Sequence, residues 1–145
     1  MKKLLCVIAI TTIMLLSACS LVDEVNQSVD YVNETKSYIN TLSDFGEQAP
    51  QLVQDAAVDP DARAELENQL NTIVEEAEEF NNLEAPTVAE DIHQDLVSKN
   101  EVLLEEVNNV IAGGEIALDK LENSEILNTV NDVTSLLESV EKLEL

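Results

Sequence analysis

Few side chains in this sequence could do covalent or acid–base chemistry: two thiols, Cys6 and Cys19, one imidazole, His93, and 30 carboxylates set against seven basic groups. Cys19 has the most specific surroundings. Immediately ahead of it stand Leu16-Ser17-Ala18, ahead of those a mostly apolar run from Leu4 to Leu16, and at the start Met1-Lys2-Lys3. A charged start, a short apolar run and small residues at a cut site define a secretory signal peptide. The run is shorter than the about 20 residues that cross a hydrocarbon core, so it directs the chain without remaining as a span. Cleavage before Cys19 would place its thiol on the first residue of the processed protein.

The stretch Leu16-Ser17-Ala18-Cys19 resembles the bacterial lipobox. That resemblance implies a diacylglyceryl group joined to the Cys19 thiol, a signal peptide of residues 1–18 and a mature domain of residues 19–145. A single acyl chain holds a protein only marginally, whereas two buried chains, at about 0.8 kcal/mol per CH₂, hold it stably. Cys6 leaves with the signal and Cys19 is blocked, so the mature chain is expected to form no disulfide and to offer no thiolate to a metal.

The remaining candidates are weaker. His93 lies beside Glu90, Asp91 and Asp95 but has no second histidine to work with, and a catalytic or metal-bound imidazole needs oriented partners. An exposed, carboxylate-neighboured side chain is the expectation. Glu75, Glu76, Glu78 and Glu79 are acidic enough for a cation, but neighbours on one helix splay around it, and the alternating acids and glycine of a calcium loop are missing. Gly113-Gly114 reads as a helix stop. Catalytic, cofactor-binding and metal residues are therefore all assigned as none, and lipidation at Cys19 is the one site.

Charge sets the partners. The whole chain carries −23; loss of Lys2 and Lys3 leaves five basic residues against 30 acids, or −25. Such a chain is repelled by nucleic acid and by anionic headgroups, because binding either requires Lys or Arg to neutralise phosphate, and nucleic acid is excluded as a partner.

The elements that would hold these residues are helical. Val22, Val25, Val29, Val32 and Ile39 step by threes and fours, with Leu21, Ser28, Thr35 and Leu42 widening the stripe and Lys36 interrupting it. Tyr31, Tyr38 and Phe45 recur every seven residues along its edge. Gly46 and Pro50 are expected to end this first helix, with a short helical piece through Leu52, Val53, Ala56 and Ala57 leading on. Asp59-Pro60 predicts an N-cap and first helical residue, opening a helix to Asn81 that buries Leu66, Leu70, Ile73, Ala77 and Phe80. Thr87 and Glu90 have capping-box spacing and introduce a third helix to about Ala112, burying Ala89, Ile92, Leu96, Leu103, Val107 and Val110. After one further turn within 115–121, Asn123 or Ser124 is expected to cap a last helix from Glu125 that buries Ile126, Val130, Val133, Leu137 and Val140. Four amphipathic helices with short links predict an all-α, antiparallel bundle.

Three stretches resemble a family of small uncharacterised lipoproteins from Bacillus-type Gram-positive bacteria. They are Cys19-Ser20-Leu21 with Tyr31-Val32-Asn33-Glu34, Leu83-Glu84-Ala85-Pro86 with Glu90-Asp91-Ile92-His93, and Leu121-Glu122-Asn123-Ser124-Glu125-Ile126-Leu127. The resemblance implies the outer face of the cell membrane and carries a role only for Cys19. The expected function is a non-enzymatic structural or interaction role in the envelope, with the membrane bound through Cys19 and an envelope protein as partner. The alternative is an apolar ligand or peptide held between helices at the Tyr31, Tyr38, Phe45 edge; third comes an acid-dependent hydrolase, which needs a carboxylate pair in a concave site.

Overall fold

The computed structural model describes the backbone of residues 2–111 and 115–144 and the side chains of residues 26–111 and 115–143. Cys19, the stripe residues Leu21, Val22 and Val25, and the Gly113-Gly114 stop have side chains or positions outside that set. The backbone forms helices α1 (Lys2–Ala56), α2 (Pro60–Asn81), α3 (Glu90–Val110), α4 (Leu118–Glu122), α5 (Ile126–Thr134) and α6 (Leu137–Glu141), with 3-10 turns at Thr87–Ala89 and Lys142–Glu144.

Neither Gly46 nor Pro50 ends the first helix, which runs unbroken through both. The expected short helix at Leu52–Ala57 is simply its last turns. Gly46 has a packing role: a Cβ there would lie 3.2 Å from Val130 Cγ1 of α5, tighter than an ordinary contact. Pro50 forfeits the hydrogen bond to the Gly46 carbonyl, a cost of about 3 kcal/mol. Burial of Leu42, Phe45, Ala49 and Ala56 on either side holds the helix together across it.

The turn into α2 forms as its residues dictate. Asp59 accepts at Oδ1 from the Asp61 N–H at 2.9 Å, and Pro60 takes the first helical position. At the other end the Asn82 side-chain amide donates to the Glu78 carbonyl at 2.7 Å and closes the last turn. The expected stripe of Leu66, Leu70, Ile73, Ala77 and Phe80 is buried throughout.

The Thr87–Glu90 capping box does not form. Pro86 is extended and its carbonyl takes the Ala89 N–H at 2.8 Å, so Thr87 sits inside a 3-10 turn, and α3 opens at Ala89 without a side-chain cap. Asn123 and Ser124 likewise do not cap the last helix. Their side chains turn back to the Asp119 and Leu121 carbonyls and finish α4. The Glu125 N–H instead meets Glu106 Oε2 of α3 at 3.3 Å.

The last helix is two helices, α5 and α6. At the break, Thr134 and Ser135 hydroxyls donate to the Asn131 and Asp132 carbonyls at 3.0 and 2.7 Å, a local competition that tightens or bends a helix. Ile126, Val130, Val133 and Val140 are buried as the spacing requires, and Leu137 is half-buried.

Helix α1 packs against α2, α5 and α6, while α3 packs against α2 and α5. The long helices therefore form a ring in the order α1, α2, α3, α5, which is the antiparallel four-helix arrangement. The broad inward side of α1 serves two neighbours. Burying each large aliphatic side chain of that core contributes roughly 1.5–3 kcal/mol.

Candidate functional site

Tyr31 and Tyr38 stand two turns apart on α1, and His93 and Asn100 stand two turns apart on α3. Matching spacing lets the two helices meet rung by rung across the bundle. Tyr31 Oη lies 3.3 Å from His93 Nδ1, and the Tyr38 hydroxyl donates to Asn100 Oδ1 at 2.5 Å. Asn100 then donates through Nδ2 to Asn81 Oδ1 at 2.9 Å, tying in the end of α2.

Phe80 of α2 fills the space between the rungs. It stacks on Tyr38 with centroids 5.0 Å apart and planes at 20°, and packs at 5.1 Å against the His93 ring. Tyr31 meets His93 edge-on at 5.8 Å. These geometries are the offset and tilted contacts that aromatic rings favour.

Burial disfavours charge on all three titratable rings. It raises the Tyr31 and Tyr38 pKa values, with Glu76 adding to the effect on Tyr38, and it lowers that of His93. His93 is thus not the exposed, carboxylate-neighboured side chain its sequence neighbours suggest. It is half-buried against two rings, with Nδ1 facing a hydroxyl.

Tyr31, Tyr38 and Phe45 are 3%, 2% and 4% exposed, so the aromatic edge of α1 is core. Asn100 escaped the sequence reading altogether, although it is fully buried. The signal was present: between Leu96 and Leu103 the four-three stepping requires an inward residue at position 100.

Two concavities border this edge. One, of about 380 Å³, lies over Tyr38, Phe80 and Leu83 and is walled by Glu34, Glu76 and Glu79. Because Tyr38 and Phe80 are each 2% exposed, a ligand there would meet the carboxylates and little of either ring. The other, of about 270 Å³, lies between α1 and the α4–α5 segment and is bordered by Phe45 and aliphatic side chains. Among the described residues, no group of three or more His, Cys, Asp or Glu side chains is placed to hold a metal ion. Among the same residues no helix is long and apolar enough to cross a membrane.

Residues 31–143 match a family of unknown function, DUF6376. That match begins at Tyr31, the first rung, and ends at Leu143 in the closing 3-10 turn. Over 146 aligned positions, covering 99% of both sequences, the chain is 32% identical to the uncharacterized lipoprotein YybP of Bacillus subtilis (strain 168). No solved structure matches it.

Proposed function

The chain belongs to the DUF6376 family of unknown function, and from that premise we propose that it is a lipid-anchored protein on the outer face of the cell membrane with a non-enzymatic interaction role. The observation that carries the anchor is the end-to-end similarity to a lipoprotein, combined with the charged, apolar and small residues that lead into Cys19. Residues 1–18 are the signal peptide, and Cys19 becomes the acylated first residue.

The reading of the role rests on the aromatic cluster. Its two hydroxyls pair with His93 Nδ1 and Asn100 Oδ1, Asn100 pairs in turn with Asn81, and Tyr31, Tyr38 and Phe80 are buried. Such a cluster fixes the register of three helices. What the molecule offers to others is its outer surface, and after processing that surface carries −25. Acidic partners within a Debye length of about 8–10 Å are repelled.

Mass spectrometry of the native protein tests the anchor. The expected N-terminus is a diacylglyceryl-modified Cys19, and Cys19→Ala should abolish both cleavage and fatty-acid labelling. An unmodified N-terminus would overturn the location and the role together. Crosslinking in intact cells tests the role itself and should recover one reproducible envelope protein.

A further inference from the structure

The cavity between α1 and the α4–α5 segment is lined by buried Phe45, Ala49 and Leu121, half-buried Val53 and Leu127 and exposed Pro50, with the exposed Gln54 and Glu122 at its rim. We propose that it is a socket for one or two aliphatic side chains of a cationic partner segment, with a Lys or Arg of that segment facing Glu122; this rests on the interaction role proposed above.

Size selects the kind of occupant. Small-molecule pockets run from about 300 to 1,000 Å³, and this one, at about 270 Å³, is smaller. An apolar cavity of about 150 Å³ accommodates a benzene-sized group, so one or two Leu- or Val-sized side chains fit.

Charge selects its sign. From Phe45 to Gln54, α1 carries a single charged residue, Glu47, although acids crowd most of the chain. Depletion of charge around an apolar centre is the mark of an interface core. The one charged residue that lines the socket is acidic, Glu122; Glu47 and Glu125 lie close by in sequence, and Lys120, next to Leu121, has its ammonium turned to the Asn109 carbonyl at 3.3 Å. A neutral or acidic segment gains nothing from these carboxylates, and a basic one is steered in. The larger concavity over Tyr38 and Phe80 lacks this combination, since three carboxylates form its walls and the rings beneath are covered.

The protein contains no tryptophan, so a tryptophan-bearing peptide reports its own environment. The probe is the hexapeptide Lys-Lys-Trp-Leu-Lys-Lys, titrated against the processed, lipidated protein in phosphatidylcholine vesicles. Vesicles alone and the peptide with every Lys replaced by Glu serve as controls. The expected result is a saturable blue shift with the basic peptide and none with the acidic one. Val53→Asp should weaken binding about tenfold or more, and Glu122→Gln about threefold with a shallower salt dependence. Glu79→Gln, in the other concavity, should leave binding unchanged. Thermal unfolding of each variant confirms that it is folded, and Glu122, being exposed, keeps the test open should Val53→Asp fail to fold.

No blue shift beyond vesicles alone overturns the socket, as does equal binding by Glu122→Gln and Glu79→Gln, which would mean adsorption to general negative charge. A partner captured in cells through another surface, together with no peptide binding, sinks the socket and leaves the interaction role standing. Absence of any captured partner, with peptide binding intact, overturns the interaction role, and the assignment of the socket to a partner segment falls with it.

Discussion

Near the start of the bundle α1 meets α3 through directional bonds, Tyr31 to His93 and Tyr38 to Asn100, with Phe80 of α2 between them. Further along, α1 approaches α5 because position 46 has no side chain, and it leaves a cavity beside Pro50. The first region has one arrangement that satisfies its buried polar groups, and a shifted register would orphan them at about 1–3 kcal/mol each. The second is held by apolar contact, which is tolerant of small changes in shape. One end of the molecule therefore specifies the packing, and the other has room to adapt to something else.

Truncation of the central ring is the largest test of that difference. Phe80→Ala should cost about 3–5 kcal/mol, because it removes the floor shared by Tyr38 and His93 as well as its own buried surface. Leu127→Ala, at the half-buried border of the cavity, should cost about 1 kcal/mol or less, since the site is already incompletely filled. Denaturant midpoints measure both; comparable losses would dissolve the distinction between the two regions.

The second test separates polar specification from mere burial. Asn100→Leu leaves the Tyr38 hydroxyl and Asn81 Oδ1 without their partner and should cost about 2 kcal/mol. Adding Tyr38→Phe removes one of the stranded groups, so the double variant should be more stable than the sum of the two single losses predicts. Strict additivity in that double-mutant cycle would mean the hydrogen bond is not what holds the register.

How much of this was legible in the sequence follows the same division. Helix α2 could be read in full, because Asp59-Pro60 is a local signal and its stripe from Leu66 to Phe80 repeats without a polar interruption. Several misreadings fell where a residue's meaning depends on a distant neighbour. Gly46 and Pro50 look like a helix end, and only Val130, 84 residues away in sequence, turns the glycine into a contact. Asn100 was passed over because a polar residue on an apolar stripe is explained only by the tyrosine opposite. Val29 fits the α1 stripe by spacing and is 50% exposed all the same; nothing in the structure explains its place in the pattern. The break between α5 and α6 was locally encoded in Asn131, Asp132, Thr134 and Ser135, but apolar spacing continues across it and hid it. A cavity has no sequence pattern at all, since it is a mismatch between surfaces contributed by separate helices.

The third test concerns the approach of α5. Replacing glycine by alanine inside a helix ordinarily stabilises by about 0.5–1 kcal/mol. At Gly46 the added methyl would press on Val130, so Gly46→Ala should be neutral or destabilising by about 1 kcal/mol. In a Val130→Ala background the same change should recover its ordinary stabilising sign. If Gly46→Ala stabilises both backgrounds equally, the glycine has no packing role and α5 is not held close by it.

The smallest expected effect is a dependence on pH centred on the first region. Burial lowers the His93 pKa from its ordinary value, so the fold favours the neutral ring, and the unfolded chain takes up the proton first as pH falls. The associated stability is whole above the ordinary histidine range and is lost as pH drops through the lowered folded value. The window to measure runs from about pH 7.5 to 5.5, on either side of the ordinary imidazole value of about 6.5. His93→Gln keeps a hydrogen-bonding group near the Tyr31 hydroxyl but cannot titrate. Denaturant midpoints of the native protein should fall across this window more than those of the variant, by well under the Asn100 effect because His93 is only half-buried. Parallel pH profiles for the two proteins would mean that water reaches the ring freely, and that the contacts with Phe80 and Tyr31 do not hold it in an apolar setting.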